Sequence, residues 1–434
     1  MSSIIIATVP IHGHVGPLLP VARYFVERGD EVRFITGSRF AAVVEATGAR
    51  HIALPPDAEF DDRQDPDEMF PERAGLSGSK AIAFDIEHLF VQPGRGQFET
   101  LMAAHGETPA AAILTDTAFV GGAFALGYPV GKRPPLIVCG VVPLPIASRD
   151  TAPYGMGLTP LRGPVGRLRN RLLAAAAARS VFPAAQRAAS AINSEIHGRP
   201  LPFPVLDWPR HAEAIAQFTV AEFEYPRSDA PGTLHFVGPM TGAPADIALP
   251  EWWSDLDGSK PVVHVTQGTI ANHDYAQIIG PALEGLAHDD VLVVVSTGGR
   301  PLDTLPPLPA NARAASYLPY DDLLPKTDVY VTNGGYGGVQ YALRYGIPIV
   351  TSGGKEDKPE VAARIEWSGV GRRIKTETPT PAQVRDAVRA VLRDDAYRES
   401  ARRIAASMAE SGGVEALAEL VDRVAVAQGT GPSL

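Results

Sequence analysis

The residues best suited to chemistry in this sequence sit in a glycine-rich turn and around a pair of histidines. The turn is Val331-Thr332-Asn333-Gly334-Gly335-Tyr336-Gly337-Gly338. An apolar run, Asp328-Val329-Tyr330-Val331, leads into it, and residues 339–344 continue with helical spacing. A strand, a glycine turn and a helix N-terminus make a site for a phosphate group. Unpaired backbone N–H groups point outward there, and glycine lets the ligand come close. Gly346-Ile347-Pro348 and Glu356-Asp357-Lys358 follow. An acidic residue some twenty positions beyond the turn can hold a sugar hydroxyl, so the segment reads as the donor site of a sugar transferase. The turn Gln267-Gly268-Thr269 would face it and add donors.

The histidines lie in Pro10-Ile11-His12-Gly13-His14-Val15-Gly16-Pro17, just after the apolar run 4–9. A strand end is where open α/β sheets bind ligands. An imidazole there can take a proton from a hydroxyl, because its pKa lies near working pH. Such a base works better with a carboxylate on its other nitrogen. Asp116, in Ile113-Leu114-Thr115-Asp116-Thr117, is the best candidate, although an aspartate at that place also serves as a helix N-cap. The His-x-His spacing suits a metal, but no clear third ligand accompanies it. Asp65-Pro66-Asp67 and Asp255-Leu256-Asp257 match the Asp-x-Asp of metal-dependent transferases, both in loop-like context. Glycine amides at a helix N-terminus can stabilise a diphosphate without metal, so no metal is expected. The turn is neither a P-loop nor the dinucleotide fingerprint.

These residues need two series of β and α elements to position them. Runs 4–9, 31–36, 111–115 and 136–138 read as strands. Segments 18–28 and 40–46 read as helices closed by Gly29 and Gly48, and 12–17 reads as a turn. A second series places strands at 261–266, 291–296, 314–318, 329–332 and 347–351. The tail 381–424 has helical spacing with breaks near Asp394 and Gly412, and prolines cluster over 205–240. The pattern predicts an α/β chain of two doubly wound, Rossmann-like domains facing across a cleft. Their expected bounds are 1–205 and 241–405, with a linker at 206–240 and a final helical piece at 406–434.

Bulk properties narrow the function classes. The 434 residues are too many for one ordinary core, and 45% hydrophobic with 20% charged residues suits a globular protein. A net charge of -10 gives no case for sequence-independent nucleic-acid binding. Cys139 is the single cysteine, so no intramolecular disulfide or cysteine metal cluster can form, which fits a reducing cytosol. No run of roughly 18 apolar residues predicts a transmembrane helix. The short apolar N-terminus lacks a basic region before it and reads as a strand, not a signal peptide. The expected location is cytoplasmic. Residues 57–72 form an acidic, proline-containing loop of the kind that often borders a substrate site. Residues 158–190 are rich in alanine and arginine. They could touch an acceptor or a membrane face, though the plainer reading is surface helices with a solvated arginine face.

Together these motifs resemble the inverting, GT-B-fold glycosyltransferases of family 1, in particular bacterial enzymes that decorate antibiotics and other natural products. Gly13-His14-Val15-Gly16-Pro17 followed by Arg28-Gly29-Asp30-Glu31-Val32-Arg33-Phe34 is similar to the family's opening GHxxP…RGHEVxF. Residues 332–338, Gly346-Ile347-Pro348 and 357–364 follow its THGGxxS…GVP…DQxxNAxR. The resemblance covers nearly the whole chain. It implies His14 as general base, with His12 as substitute, and Asp116 as partner. It implies pyrophosphate binding by Gly335, Gly337 and Gly338, sugar hydroxyls on Asp357, the nucleobase near Tyr317 and Leu318, and Thr269 near the phosphates. It further implies an acceptor domain first, a nucleotide-sugar domain second, and a last helix that returns to the first domain. The substrates would be a UDP- or dTDP-sugar and a small, largely apolar aglycone, with no other cofactor.

Three positions depart from the family pattern. Asn333 stands where the family has histidine, Gly338 where it has a hydroxyl residue, and Lys358 where it has glutamine. Two alternatives follow. One is an epimerase or hydrolase of nucleotide sugars on the same fold. The other is a non-catalytic protein that binds the nucleotide sugar.

Overall fold

The structure, a computed structural model, describes residues 2–64, 66–129, 131–240, 247–270, 272–354 and 356–429. Among the described residues, thirteen strands form two parallel sheets. The first sheet uses β1 (Ser3–Ala7), β2 (Glu31–Thr36), β3 (Arg50–Ala53), β4 (Ala112–Asp116), β5 (Leu136–Gly140), β6 (Ala214–Gln217) and β7 (Leu234–Phe236). Their order is β3-β2-β1-β4-β5-β6-β7. The second uses β8 (Val262–Thr266), β9 (Leu292–Ser296), β10 (Ala312–Ala315), β11 (Val329–Thr332), β12 (Ile349–Ser352) and β13 (Gly371–Ile374), in the order β10-β9-β8-β11-β12-β13.

The central strands are buried over all residues but Ser3, which is why they read as largely apolar runs and not as alternating ones. In both sheets the chain order reverses between two neighbours, β1 and β4 in the first, β8 and β11 in the second. The crevice outside the strand carboxyl ends at such a reversal is where doubly wound sheets bind ligands.

Two of the expected domain bounds change. The stretch 206–240 is not a bare connection: β6 and β7 lie within it and pair onto the first sheet. Its prolines flank these short strands and so obscured them. The end of the second half also moves. The expected break at 405–406 falls inside the helix Asp395–Ala409, and the chain turns at Gly412, in the left-handed region at φ 80°. The helix after it, Gly413–Ala427, packs Leu417, Ala418, Leu420 and Val421 into the first sheet's core beside Leu18 and Phe25. Arg28 reaches Asp422 at 2.8 Å on the rim of that contact.

A buried ion cluster ties the halves together beside the crevice. Arg364 gives two hydrogen bonds of 2.9 Å to Glu224 and one of 2.8 Å to Glu360, and its guanidinium lies 4.3 Å from the Tyr225 ring centre. The other Glu360 oxygen accepts the backbone N–H of Gly155 at 3.0 Å and of Gly157 at 2.8 Å.

Candidate active site

Residues 12–15 form one turn of helix, followed by a tight turn at Gly16–Leu18, where a plain turn was expected. Pro17 fixes its own φ in the helical range, and both glycines accept helical angles, so the chain coils as it leaves β1. Two helical steps rotate a side chain by about 200°. His12 and His14 therefore point opposite ways, and only His14 faces the neighbouring strand end.

There, His14 Nδ1 lies 3.2 Å from Oδ1 of Asp116, the last residue of β4. The distance is that of an ion pair, but the N–H is not aimed well enough to satisfy the nitrogen by strict geometry. Looseness of this kind is common before substrate binds. Asp116 is fully buried and fixed by other donors: the Thr8 hydroxyl, the Val9 N–H at 3.0 Å and the Ala118 N–H at 2.6 Å. Burial would raise its pKa, but His14, Thr8 and Ala118 hold it below the ordinary carboxylate value. Burial likewise pulls the His14 imidazole down. The Asp116 charge and contact, then Asp357 and Asp62, outweigh this and place it above its ordinary 6.5. His14 keeps 13% of its side chain exposed, so the ring can be reached. His12 is exposed, its backbone N–H bonded to Asp62 at 2.7 Å, and its pKa is lowered, mainly by desolvation.

Across the crevice, β8 and β11 run side by side with Thr266 opposite Thr332. The two loops therefore emerge together, and the Asn333 amide donates to the Gln267 carbonyl at 3.0 Å. That amide closes the reversal point, a use the sequence did not reveal. Gly334 has φ 96°, and a Cβ there would meet the Thr351 hydroxyl at 2.9 Å. Gly335 caps the helix Tyr336–Arg344 without a side-chain bond. Nothing lies within 4 Å of where a Cβ of Gly335 or Gly337 would stand, so a ligand can reach the free N–H groups of the first turn. Gly338 differs: its Cβ would lie 2.7 Å from the Tyr330 hydroxyl. The missing side chain at 338 makes room for that buried phenol.

The remaining residues ring this turn unequally. Gly268 and Thr269 are exposed at the end of β8. Tyr317 is exposed, and a Cβ at Gly299 would strike its hydroxyl. Leu318 is instead buried in the core with Val294 and Leu323, so only its backbone can serve a ligand. Asp357 precedes the helix Lys358–Ser368 and does not spend its carboxylate on capping it. Burial raises its pKa to about 6, against the lowering effects of Lys358 and His14. Asp357 in turn raises the pKa of His14, and His14 lowers that of Asp357, as opposite charges do. Lys358 is buried and pairs with Glu356, a residue held at φ 58°.

Of the Asp-x-Asp candidates, Asp255 pairs with Arg313 at 2.6 Å and Asp257 accepts the Ser259 N–H at 2.8 Å. Asp67 pairs with Arg73, while Asp65 lies outside the described residues. Among the described residues, no three His, Cys, Asp or Glu side chains gather as a metal group, and no helix is long and apolar enough to cross a membrane. Sequence reasoning missed Thr8 and Asp62. Thr8 left a trace as a polar residue inside the apolar run 4–9, and Asp62 lies in the acidic loop 57–72.

Residues 281–423 match the family model for the C-terminal domain of erythromycin biosynthesis protein CIII-like proteins. The chain is 40% identical to 4'-demethylrebeccamycin synthase of Lentzea aerocolonigenes, over 96% of this chain and 98% of that protein. It is 34% identical to UDP-glycosyltransferase 2 of Phaeomoniella chlamydospora, over 98% and 96%. Its fold is that of the glycosyltransferase of kitacinnamycin, with TM-score 0.73 and 22% identity over 98% of each chain. The calicheamicin glycosyltransferase superposes equally well, with TM-score 0.73 and 20% identity over 98% of each chain. The crevice at two facing reversal points and these likenesses agree: the chain belongs to the GT-B-fold glycosyltransferases of family 1, in the group of the natural-product enzymes.

Proposed function

We propose that the protein transfers a sugar from a UDP- or dTDP-sugar to a hydroxyl of a small, largely apolar acceptor, with inversion and without a metal. The observation that carries this reading is the His14–Asp116 pair at the reversal point of the first sheet together with the open glycine turn at the reversal point of the second. The acceptor belongs on the first half and the donor on the second. Two solved structures of similar fold, a spinosyn rhamnosyltransferase complexed with thymidine diphosphate and the same enzyme complexed with spinosyn aglycone, support a nucleotide donor and a small-molecule acceptor as the substrate classes. Relatives named UDP-glucosyltransferases support a pyrimidine nucleotide in general.

In the proposed step, His14 Nε2 takes the proton of the acceptor hydroxyl while Nδ1–H stays directed at Asp116. The acceptor oxygen forms its bond to the anomeric carbon as the bond from that carbon to the diphosphate oxygen breaks on the opposite face. The nucleoside diphosphate leaves with the bonding pair. Its growing charge falls on the N–H groups at Gly335, Gly337 and Gly338 and on the positive end of the helix Tyr336–Arg344. Thr269 adds a phosphate contact, the Tyr317–Leu318 segment holds the base, and Asp357 with Lys358 orients sugar hydroxyls.

The test is a panel of UDP- and dTDP-sugars with hydroxylated aromatic aglycones, followed by NMR of the product's anomeric configuration with and without chelator. Inversion and full activity in chelator are expected. Retention of configuration, or activity lost in chelator and restored by a divalent cation, would overturn the mechanism. His12→Ala retaining activity that His14→Ala loses is the expected base assignment, and the reverse pattern rejects it.

A further inference from the structure

The helix Gly163–Ser180 turns an apolar stripe to solvent. It packs inward through Gly166, Asn170 and Ala177. Val165, Leu168 and Leu172 lie on another side and are 74%, 59% and 62% exposed. Leu161 and Leu158, also exposed, extend the stripe toward the loop that Glu360 holds. Contiguous apolar exposure of this kind marks a surface that meets something.

The charge around the stripe says what. No acidic residue occurs between Asp150 and Glu195, in a chain with 49 of them and net charge -10. That same stretch carries Arg162, Arg167, Arg169, Arg171, Arg179 and Arg187. Arg167 pairs with Asp150, and Arg169 is used on the Thr159 carbonyl and Asn170. Arg162, Arg171, Arg179 and Arg187 are exposed and form no ion pair among the described residues. A helix with leucines on its outer face and arginines beside them fits the boundary between anionic headgroups and acyl chains. A symmetric contact with a second copy would instead set this basic face against itself.

We propose that this helix docks the protein reversibly on an anionic lipid surface, with Val165, Leu168 and Leu172 entering the interface and the exposed arginines meeting the headgroups. The charge segregation and the exposed stripe carry this independently of the transferase chemistry. An apolar acceptor dissolved in a membrane would then be met at the surface where it concentrates.

The experiment is co-sedimentation of the full chain with vesicles of phosphatidylglycerol and phosphatidylcholine, and with vesicles of phosphatidylcholine alone, at low and high salt. Binding to the anionic vesicles, weakened by salt and absent on the neutral ones, is expected. Arg171→Glu with Arg179→Glu should lower partitioning at least about 25-fold, taking roughly fivefold per arginine. Leu168→Glu with Leu172→Glu should abolish it while circular dichroism stays that of the wild type, since both positions face solvent. Failure of the wild type to bind anionic vesicles would reject the proposal. So would equal binding by the leucine variant, or a wild-type dimer in solution that the leucine variant converts to monomer.

Discussion

Replacing Asp116 by asparagine tests the proposed base most sharply. The carboxylate receives three hydrogen bonds and faces a fourth donor: the Ala118 N–H bonds one oxygen, with His14 Nδ1 at ion-pair distance from it, and the Thr8 hydroxyl and the Val9 N–H bond the other. Asparagine keeps one acceptor oxygen, so either orientation turns an NH2 toward two of those donors. If it faces His14, the ring must accept at Nδ1 and carry its proton on Nε2, the wrong tautomer for a base. At 3.2 Å the attraction between Asp116 and a protonated His14 is about 5 kcal/mol at an effective dielectric of about 20, before desolvation is subtracted. A surviving part of this, about 3–5 kcal/mol, corresponds to a fall in kcat of roughly 10²–10⁴. Steady-state rates for the wild type, Asp116→Asn, His14→Ala and the double variant would be compared at saturating donor. Residues that act as a unit are non-additive, so the double variant should be about as slow as the slower single one. The acid limb of the pH profile should also move to lower pH in Asp116→Asn, because Asp116 is the largest influence raising His14. Independent, multiplying effects, or an Asp116→Asn enzyme within fivefold of wild type, would refute the pairing.

Asp357→Asn should weaken donor binding above pH 6, measured by calorimetry with the nucleotide sugar. It should also raise the thermal midpoint of the ligand-free protein at pH 7.5 more than at pH 5. The sign follows from a folded pKa raised to about 6: that contribution to stability is present below the unfolded value and lost as pH rises through 6. Gly338→Ala should destabilise by about 1–3 kcal/mol through the 2.7 Å approach to the Tyr330 hydroxyl. Tyr330→Phe should relieve most of that, since the next ring atom is 3.7 Å away, and a double-mutant cycle by thermal unfolding would measure the coupling. Glu224→Ala leaves buried Arg364 with Glu360 alone and should cost about 3–5 kcal/mol, read as a drop in thermal midpoint.

Much of the fold could be read along the chain because its central strands are buried on both faces and separated by turns. Residues 31–36 and 329–332 match β2 and β11 residue for residue, and the helix breaks expected near Asp394 and Gly412 are where the tail turns. Strands β6 and β7 escaped notice because four- and three-residue segments among prolines carry too little pattern. The candidate site divides in the same way. The motif around His14 and the glycine turn are local, so their composition reveals them. The partner of His14 lies about a hundred positions away and becomes its neighbour only because β1 and β4 pair.

What the sequence determined by itself was the set of backbone conformations the site requires. Glycines at 334, 335 and 337 let a strand pass into a helix with open N–H groups, and the apolar runs dictate two buried parallel sheets. The tertiary structure alone decided which side chains those conformations serve. The coil after β1 selects His14 over His12. The pairing of β8 with β11 commits Asn333 to the Gln267 carbonyl. The Tyr330 hydroxyl explains Gly338, and Glu224 meets Arg364 across 140 residues. Each of these depends on distances between segments remote in the chain, which no local pattern of residue types encodes.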